Sequence, residues 1–277
     1  MCSLRLCVRK IKMDFSKIAK KYENFSLVQK SAAETLIRLL DIAPEDNVLD
    51  LGCGSGNLTR NIRSITRGEL IGIDPSEGMI KQARKQYSHL NIVFKKQSAE
   101  DVNYKNQFNI IFCNSDFQWF RDVDKVIKNC YTALRRNGKI GIQAPARSIY
   151  SPNFIEAINN VKNDPVTKET YKYFKNPWFF CETAEEYKNL FIKQNFIVPF
   201  ANIQYIEQEY TADEVFHVFM SGASNGYLNQ DFYEIKIDQR YIDAFIEIVK
   251  QTFHNQADLN GKVNLAFNRI FLIAIKE

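Results

Sequence analysis

The sequence predicts an α/β protein built on a doubly wound, mostly parallel, seven-stranded sheet. Three observations carry this. Strand-length apolar runs alternate with helical patterns from residue 47 to 144. Gly52, Gly54 and Gly56 follow directly on the first strand. Two late segments, "IQYIEQEY" and "KVNLAFNRIFLIAIK", have the pattern of antiparallel strands that would complete the sheet.

Each element has a local reason. "SLVQKSAAETLIRLLDI" places Val28, Ala32, Leu36, Leu39 and Leu40 at helical spacing, and Pro44 bars its continuation. "NVLDL" is the first strand and "NLTRNIRSI" a helix. "ELIGID" is continuously apolar, as a strand covered on both faces must be. Pro75 and Ser76 open the next helix, "NIVFKK" and "FNIIFCN" are strands, and "DVDKVIKNCYTAL" is a helix. Asn137-Gly138 reads as the C-cap turn of that helix, with Lys139–Ala144 as the fifth strand. After Pro145 the alternation breaks. "TAEEYKNLFIKQNF" and residues 211–258 read as helices, a cap inserted in the C-terminal half.

The glycines need a reason, because each costs backbone entropy. One is a tight strand-to-helix turn. The other is a nucleoside-cofactor loop, where main chain touches ligand and the next helix offers free amide groups. The GxGxG spacing differs from the dinucleotide GxGxxG, and no GK[ST] follows to make a P-loop. Asp74 closes the second strand, where an acid accepts hydrogen bonds from a ribose diol; a turn or N-cap aspartate is the structural alternative.

Bulk properties set limits. The 277 residues are 45% hydrophobic and 25% charged with a net charge of +5, ordinary for a globular chain. That charge suits an acidic partner or a solvated surface equally. Without a dense Lys/Arg stripe, nucleic acid is not an expected partner. No run reaches the ~20 apolar residues of a membrane span, so no membrane association is expected. Cys2, Cys7, Cys53, Cys113, Cys130 and Cys181 form no CxxC pair and read as reduced thiols in a cytoplasmic protein. His89, His217 and His254 lie apart, and no metal site is expected. Residues 1–13 form a basic extension; a tail, a transit segment and a true start at Met13 all stay open. The division expected is 1–13 extension, 14–146 cofactor core with N-terminal lid helices, and 147–277 cap and completing strands.

"VLDLGCGSGNLT", "IGIDPSEGMI", "FQW" and "LRRNGKIGI" resemble class I S-adenosylmethionine-dependent methyltransferases. "FSKIAKKYENFSLVQKSAAETL" and "MSGASNGYL" resemble malonyl-acyl carrier protein O-methyltransferases of biotin synthesis. "CNSDFQWF", "IQAP" and the C-terminal strand are similar to trans-aconitate methyltransferases. Insect juvenile-hormone-acid methyltransferases share the "VQ" and aromatic-Trp pattern, and all three groups methylate a carboxylate.

The resemblance implies S-adenosylmethionine as cofactor and a small carboxylate or an acyl carrier protein as partner, with a monomer expected. It implies that Gly52, Gly54 and Gly56 pack on the methionine moiety and that Asp50 helps hold its amino group. Asp74 would take the ribose, Pro75 and Met79 would wall the adenine, and Tyr22 would cover the cofactor. Ser98 stands where relatives carry an acid, so the adenine contact passes to Ser98 and the Ala99 amide. Asn114 would lie beside the methyl-bearing sulfur. Gln29 and Trp119 would donate neutral N–H groups to the acceptor carboxylate, as catalytic residues. Read without the resemblance, Gln29 is a surface helix residue and Trp119 a core or lid aromatic. Arg147 would pair with a second carboxylate, or is plain surface charge. Cys53 is a small loop filler. Two rivals remain: methylation of another small acceptor, and a noncatalytic methyltransferase-like binding module.

Overall fold

A computed structural model describes residues 27–277, with side chains from residue 32 onward. The sheet has seven strands in the order β3-β2-β1-β4-β5-β7-β6. These are β1 (Val48–Leu51), β2 (Leu70–Asp74), β3 (Val93–Lys96), β4 (Phe108–Asn114), β5 (Leu134–Pro145), β6 (Phe196–Thr211) and β7 (Lys262–Lys276). Strands β1 to β5 pair in parallel, and β7 runs antiparallel to both β5 and β6.

Helix α1 (Leu27–Leu40) packs with α2 (Asn57–Arg63) and α3 (Glu77–Tyr87) on one face of the sheet, around Leu36, Leu40, Ile62, Ile80 and Phe112. The other face is covered by α4 (Val123–Ala133) and, beyond the cap, α7 (Ala184–Ile192), around Phe117, Tyr187 and Phe191. Apolar strands covered on both sides are what the continuous runs of β2 and β4 predict.

The helix-to-β5 connection differs from the sequence reading. Asn137-Gly138 is not the cap of α4; the helix ends at Ala133 with Leu134 as C-cap. Leu134 already pairs with Phe108, and the register shifts before Lys139 joins Ile110. Asn137 sits within that irregularity at φ 63. The Asn-Gly signal marks a bulge in the strand, which early pairing with β4 created. At the other edge, β6 carries Pro199 inside its own register shift, which an edge strand tolerates because one side needs no N–H donor. Its strand pattern begins at Phe196, well before "IQYIEQEY".

The β6–β7 pair is longer than its neighbours. Residues Arg269–Ile275 of β7 pair with β5, whereas Lys262–Asn268 pair with β6 alone. That overhang runs past the carboxyl end of β5. It carries a second core made with α5 (Pro152–Asn163), α8 (Ala212–Ser221), α9 (Ser224–Tyr227) and α10 (Gln239–Asn255), around Phe154, Phe219, Phe245, Phe253 and Phe267. The stretch expected to be helical over 211–258 is thus interrupted between α9 and α10. A short helix α6 (Lys168–Tyr171) completes this layer. Helical cap material is placed over the carboxyl edge, where open α/β sheets bind ligands. Among the described residues no helix is long and apolar enough to cross a membrane.

Candidate functional site

The loop after β1 is held as a cradle. Gly52, Gly54 and Gly56 have φ of 71°, 53° and 85°, a left-handed region that favours glycine. The amides of Gly52 and Cys53 both donate to the Ile73 carbonyl at 2.9 Å, which ties the loop to the end of β2. A Cβ on Gly56 would lie 2.8 Å from the Phe94 ring, and one on Gly52 would lie 2.2 Å from Asp116 Cγ. A Cβ on Gly54 would meet nothing within 4 Å. Gly54 is therefore the loop residue whose main chain faces open space.

Asp74 sits opposite. Its Oδ2 accepts from the Gly54 amide at 3.0 Å, and its Oδ1 from the Ser76 amide at 2.7 Å. It combines the turn role with a position at the mouth of the cradle, and its remaining lone pairs are available to a ligand. Burial raises its pKa against those two bonds. Asp50 is buried under the loop and accepts from Thr59 Oγ1 at 2.7 Å. Burial pushes its carboxyl up to about 7, opposed by the Thr59 bond. Cys53 is buried, and burial with the nearby carboxylates pushes its thiol well up, away from nucleophile chemistry.

The rim carries the other expected cofactor residues. Pro75 is exposed and Met79 half-buried in the first turn of α3. Ser98 donates to Asp101 Oδ2 at 2.9 Å, and Ala99 is buried at the start of a short 3-10 turn. Asn114 ends β4. In the amide orientation that satisfies its neighbours, Gln143 donates to Asn114 Oδ1 at 2.8 Å and to Ser115 Oγ at 3.1 Å. The Gln143 oxygen accepts from Arg269 Nη1 at 2.9 Å. A buried polar chain thus runs across β4, β5 and β7.

Beside it lies a cavity lined by Ser115, Gln118, Trp119, Tyr150, Phe154, Trp178, Phe180, Phe267 and Arg269 together with the Ser221–Asn225 turn. Trp119 packs edge-on to Trp178 at 5.5 Å, and Tyr150 stacks on Phe180 at 5.4 Å. Arg269 is only 3% exposed and its guanidinium lies over Phe267, 4.6 Å from the ring centre. No carboxylate and no imidazole is among the described lining residues.

Ser115, Gln118 and Trp119 thus line the cavity from one segment, just past Asn114 at the end of β4. The "SGASN" stretch singled out in the sequence supplies Ser221, Gly222, Ala223 and Asn225 to the cavity wall. Arg147 does not line it. That residue is exposed at φ 70°, with its amide donating to the Cys181 carbonyl at 3.0 Å. The cation in the cavity wall is Arg269. Tyr22 lies outside the described residues, and Gln29 lies in α1 with its side chain outside them.

Three residues here escaped sequence reading. Arg269 sits in an apolar strand, Trp178 in an irregular segment, and Asp116 in "CNSDFQW" beside the more conspicuous tryptophan. A charge inside "NLAFNRIFLIAIK" was the one available signal, since buried arginine is rare without a polar partner. Among the described residues no group of His, Cys, Asp and Glu could hold a metal ion.

Comparison with known proteins fits this geometry. Residues 48–138 match the family described as a methyltransferase domain. A malonyl-[acyl-carrier protein] O-methyltransferase of Acetivibrio thermocellus is 24% identical over 273 residues, covering 96% of this chain and 93% of that protein. A second, from Priestia megaterium, is 31% identical over 134 residues, covering 47% of this chain and 49% of the relative. Among solved structures, the YcgJ protein of Bacillus subtilis superposes with a TM-score of 0.60 at 16% identity, over 90% of this chain and 99% of its own. Phosphoethanolamine N-methyltransferase 2 of Haemonchus contortus, solved with S-adenosylhomocysteine, reaches 0.57 at 17% identity, over 94% of this chain and 57% of its own.

Proposed function

This chain being a class I S-adenosylmethionine-dependent methyltransferase, we propose that it methylates a carboxylate oxygen of a small acid or acyl thioester. The observation that carries the reading is the cavity beside the end of β4. It combines aromatic walls, neutral donors and one buried guanidinium, and its described lining holds neither carboxylate nor imidazole. Such a lining suits an anion and offers no general base.

The cofactor side fits the residues present. Open space at Gly54 would admit a ligand to the main chain, and Asp74, bonded to the Gly54 amide, would take the ribose. Asp50, Gly52, Gly54, Gly56, Asp74, Pro75, Met79, Ser98, Ala99 and Asn114 form this half of the site, with Tyr22 its further member. Bound there, S-adenosylmethionine supplies an electrophilic methyl group on a sulfonium.

The rest falls to the chain. A carboxylic acid titrates near 4, so the acceptor is already ionised at neutral pH and needs no base. Trp119, through its indole N–H, and Gln29 orient one oxygen without neutralising it. Arg269, rather than the exposed Arg147, balances the remaining negative charge. The aromatic wall excludes water that would solvate the oxygen. Alignment of this kind contributes up to ~7–11 kcal/mol in favourable systems.

Residues 14–146 act as the cofactor core and 147–277 as the acceptor cap. The malonyl carrier-protein relatives make a malonyl thioester the first acceptor to test; a small tricarboxylate is the second. The net charge of +5 suits an acidic carrier. A cytoplasmic location accords with Cys53, Cys113, Cys130 and Cys181 being free thiols.

The test is transfer of a labelled methyl group to malonyl-carrier protein, trans-aconitate and a fatty acid. A base-labile methyl ester is expected on at least one of them. Trp119→Phe should lower kcat/KM on that acceptor about tenfold to a hundredfold, through loss of one hydrogen bond to a charged oxygen. Transfer only to an amine or phenol would overturn the carboxylate reading while keeping the methyltransferase.

A further inference from the structure

We propose that Asp116 binds the cofactor, holding the ammonium group at the amino-acid end of S-adenosylmethionine. This rests on the glycine loop being the cofactor loop.

The placement is topological first. β1 and β4 are neighbours in parallel register, with Leu51 beside Cys113. The residues just past their ends, Gly52 and Ser115-Asp116, are therefore adjacent. Ser115 takes φ 58°, an uncommon conformation for a residue with a side chain, and turns the chain back over the loop. The Trp119 amide donates to the Asp116 carbonyl at 2.9 Å, which closes the short 3-10 turn Phe117–Trp119. The Asp116 side chain is thus laid on Gly52. Its Cγ, Cβ and Oδ2 lie 2.2, 2.5 and 2.5 Å from where a Gly52 Cβ would be.

The carboxylate then lacks what its neighbours have. Asp74 receives two backbone amides and Asp50 receives the Thr59 hydroxyl. No hydrogen bond to the Asp116 carboxylate is formed by any described residue, and the ionisable groups acting on it are the acids Asp74, Asp50 and Glu100. Asp116 is half-buried among like charges, and a carboxylate held there without a donor is costly, so a purely structural aspartate would be expected to have one. Among the described residues nothing supplies the missing donor, and it is assigned to a cationic group of the ligand. S-adenosylmethionine has two positive centres. The sulfonium has no N–H to donate, whereas the ammonium has three, and open lone pairs are satisfied only by a donor.

The experiment is calorimetric titration of wild type and Asp116→Asn with three ligands. S-adenosylmethionine has the ammonium and the sulfonium. S-adenosylhomocysteine has the ammonium alone. 5′-Methylthioadenosine has neither. Asp116→Asn should weaken the first two by about tenfold or more each and leave the third unchanged. Because it removes one of several clustered acids without changing shape, it should also raise the melting temperature of the ligand-free protein. Loss confined to S-adenosylmethionine would place Asp116 on the sulfonium and overturn the proposal. Unchanged binding of all three, or equal loss of all three, would overturn it as well. Gly54→Ala in parallel separates this from the underlying reading: if it too leaves every affinity intact, the loop is not the cofactor site.

Discussion

Three glycines in five residues satisfy three different physical demands. Gly52 yields to Asp116 and Gly56 to Phe94, while Gly54 leaves room for something outside the chain. All three need a left-handed backbone, which costs a residue with a Cβ roughly 1–2 kcal/mol. Gly54→Ala should therefore fold, at about that cost in denaturant unfolding, and lose at least about tenfold in cofactor affinity by calorimetry. Gly52→Ala should cost more, since overpacking adds roughly 1–3 kcal/mol. A Gly52→Ala protein as stable as Gly54→Ala would contradict the contact with Asp116.

At the level of elements, the overhang of β6 and β7 carries a second core past the carboxyl end of β5 and walls the cavity proposed to take the acceptor. Its wall depends on one close approach. A Cβ on Gly226 would lie 2.2 Å from Trp178 Cζ2, and Trp178 packs on both Trp119 and Tyr227. Gly226→Ala must move an indole that lines the cavity. Methyl transfer should drop at least about tenfold while cofactor affinity, set on the other side of β4, stays near the wild-type value. A parallel loss of cofactor affinity would show that the two halves are not separable in this way. At Asn137-Gly138 the turn chemistry is legible in the sequence, but its place as a bulge is decided by Leu134 pairing with Phe108 from another segment.

For the molecule as a whole, the acids at the sheet edge make stability depend on pH. Asp50 and Asp116 are held up at about 7 and about 8, chiefly by burial, with Asp74 raised as well. Among the described residues, Glu100 and the high-lying thiols of Cys53 and Cys113 are the other titratable groups coupled to them. In the unfolded chain these aspartates titrate near 4. Between those values the folded state binds more protons than the unfolded state, so stability falls as pH rises. This contribution is whole below about pH 4 and gone above about pH 8. The ligand-free melting temperature should fall from about pH 5 to about pH 8, and less steeply in Asp116→Asn. A cationic cofactor should stabilise more at the upper end. A rise in ligand-free stability over that range, or an unaltered slope in the variant, would show that these carboxylates are not charged together.

The sequence by itself determined the alternation of strands and helices, the glycine loop, and Asp50 and Asp74 as its acids. These are legible because periodicity, glycine spacing and strand ends are local and repeat every few residues. It also marked Trp119 and the "SGASN" turn, without saying that both would wall one cavity. Only the tertiary structure decided which arginine faces that cavity. Arg147 stands just past β5 in a readable position but turns outward at φ 70°, whereas Arg269 comes from a strand far along the chain that returns antiparallel beside β5. It alone brought Asp116 onto Gly52, because adjacent strands in register juxtapose residues from distant segments. Burial, charge crowding and cavity shape are sums over neighbours in space. No pattern confined to neighbours in sequence contains them.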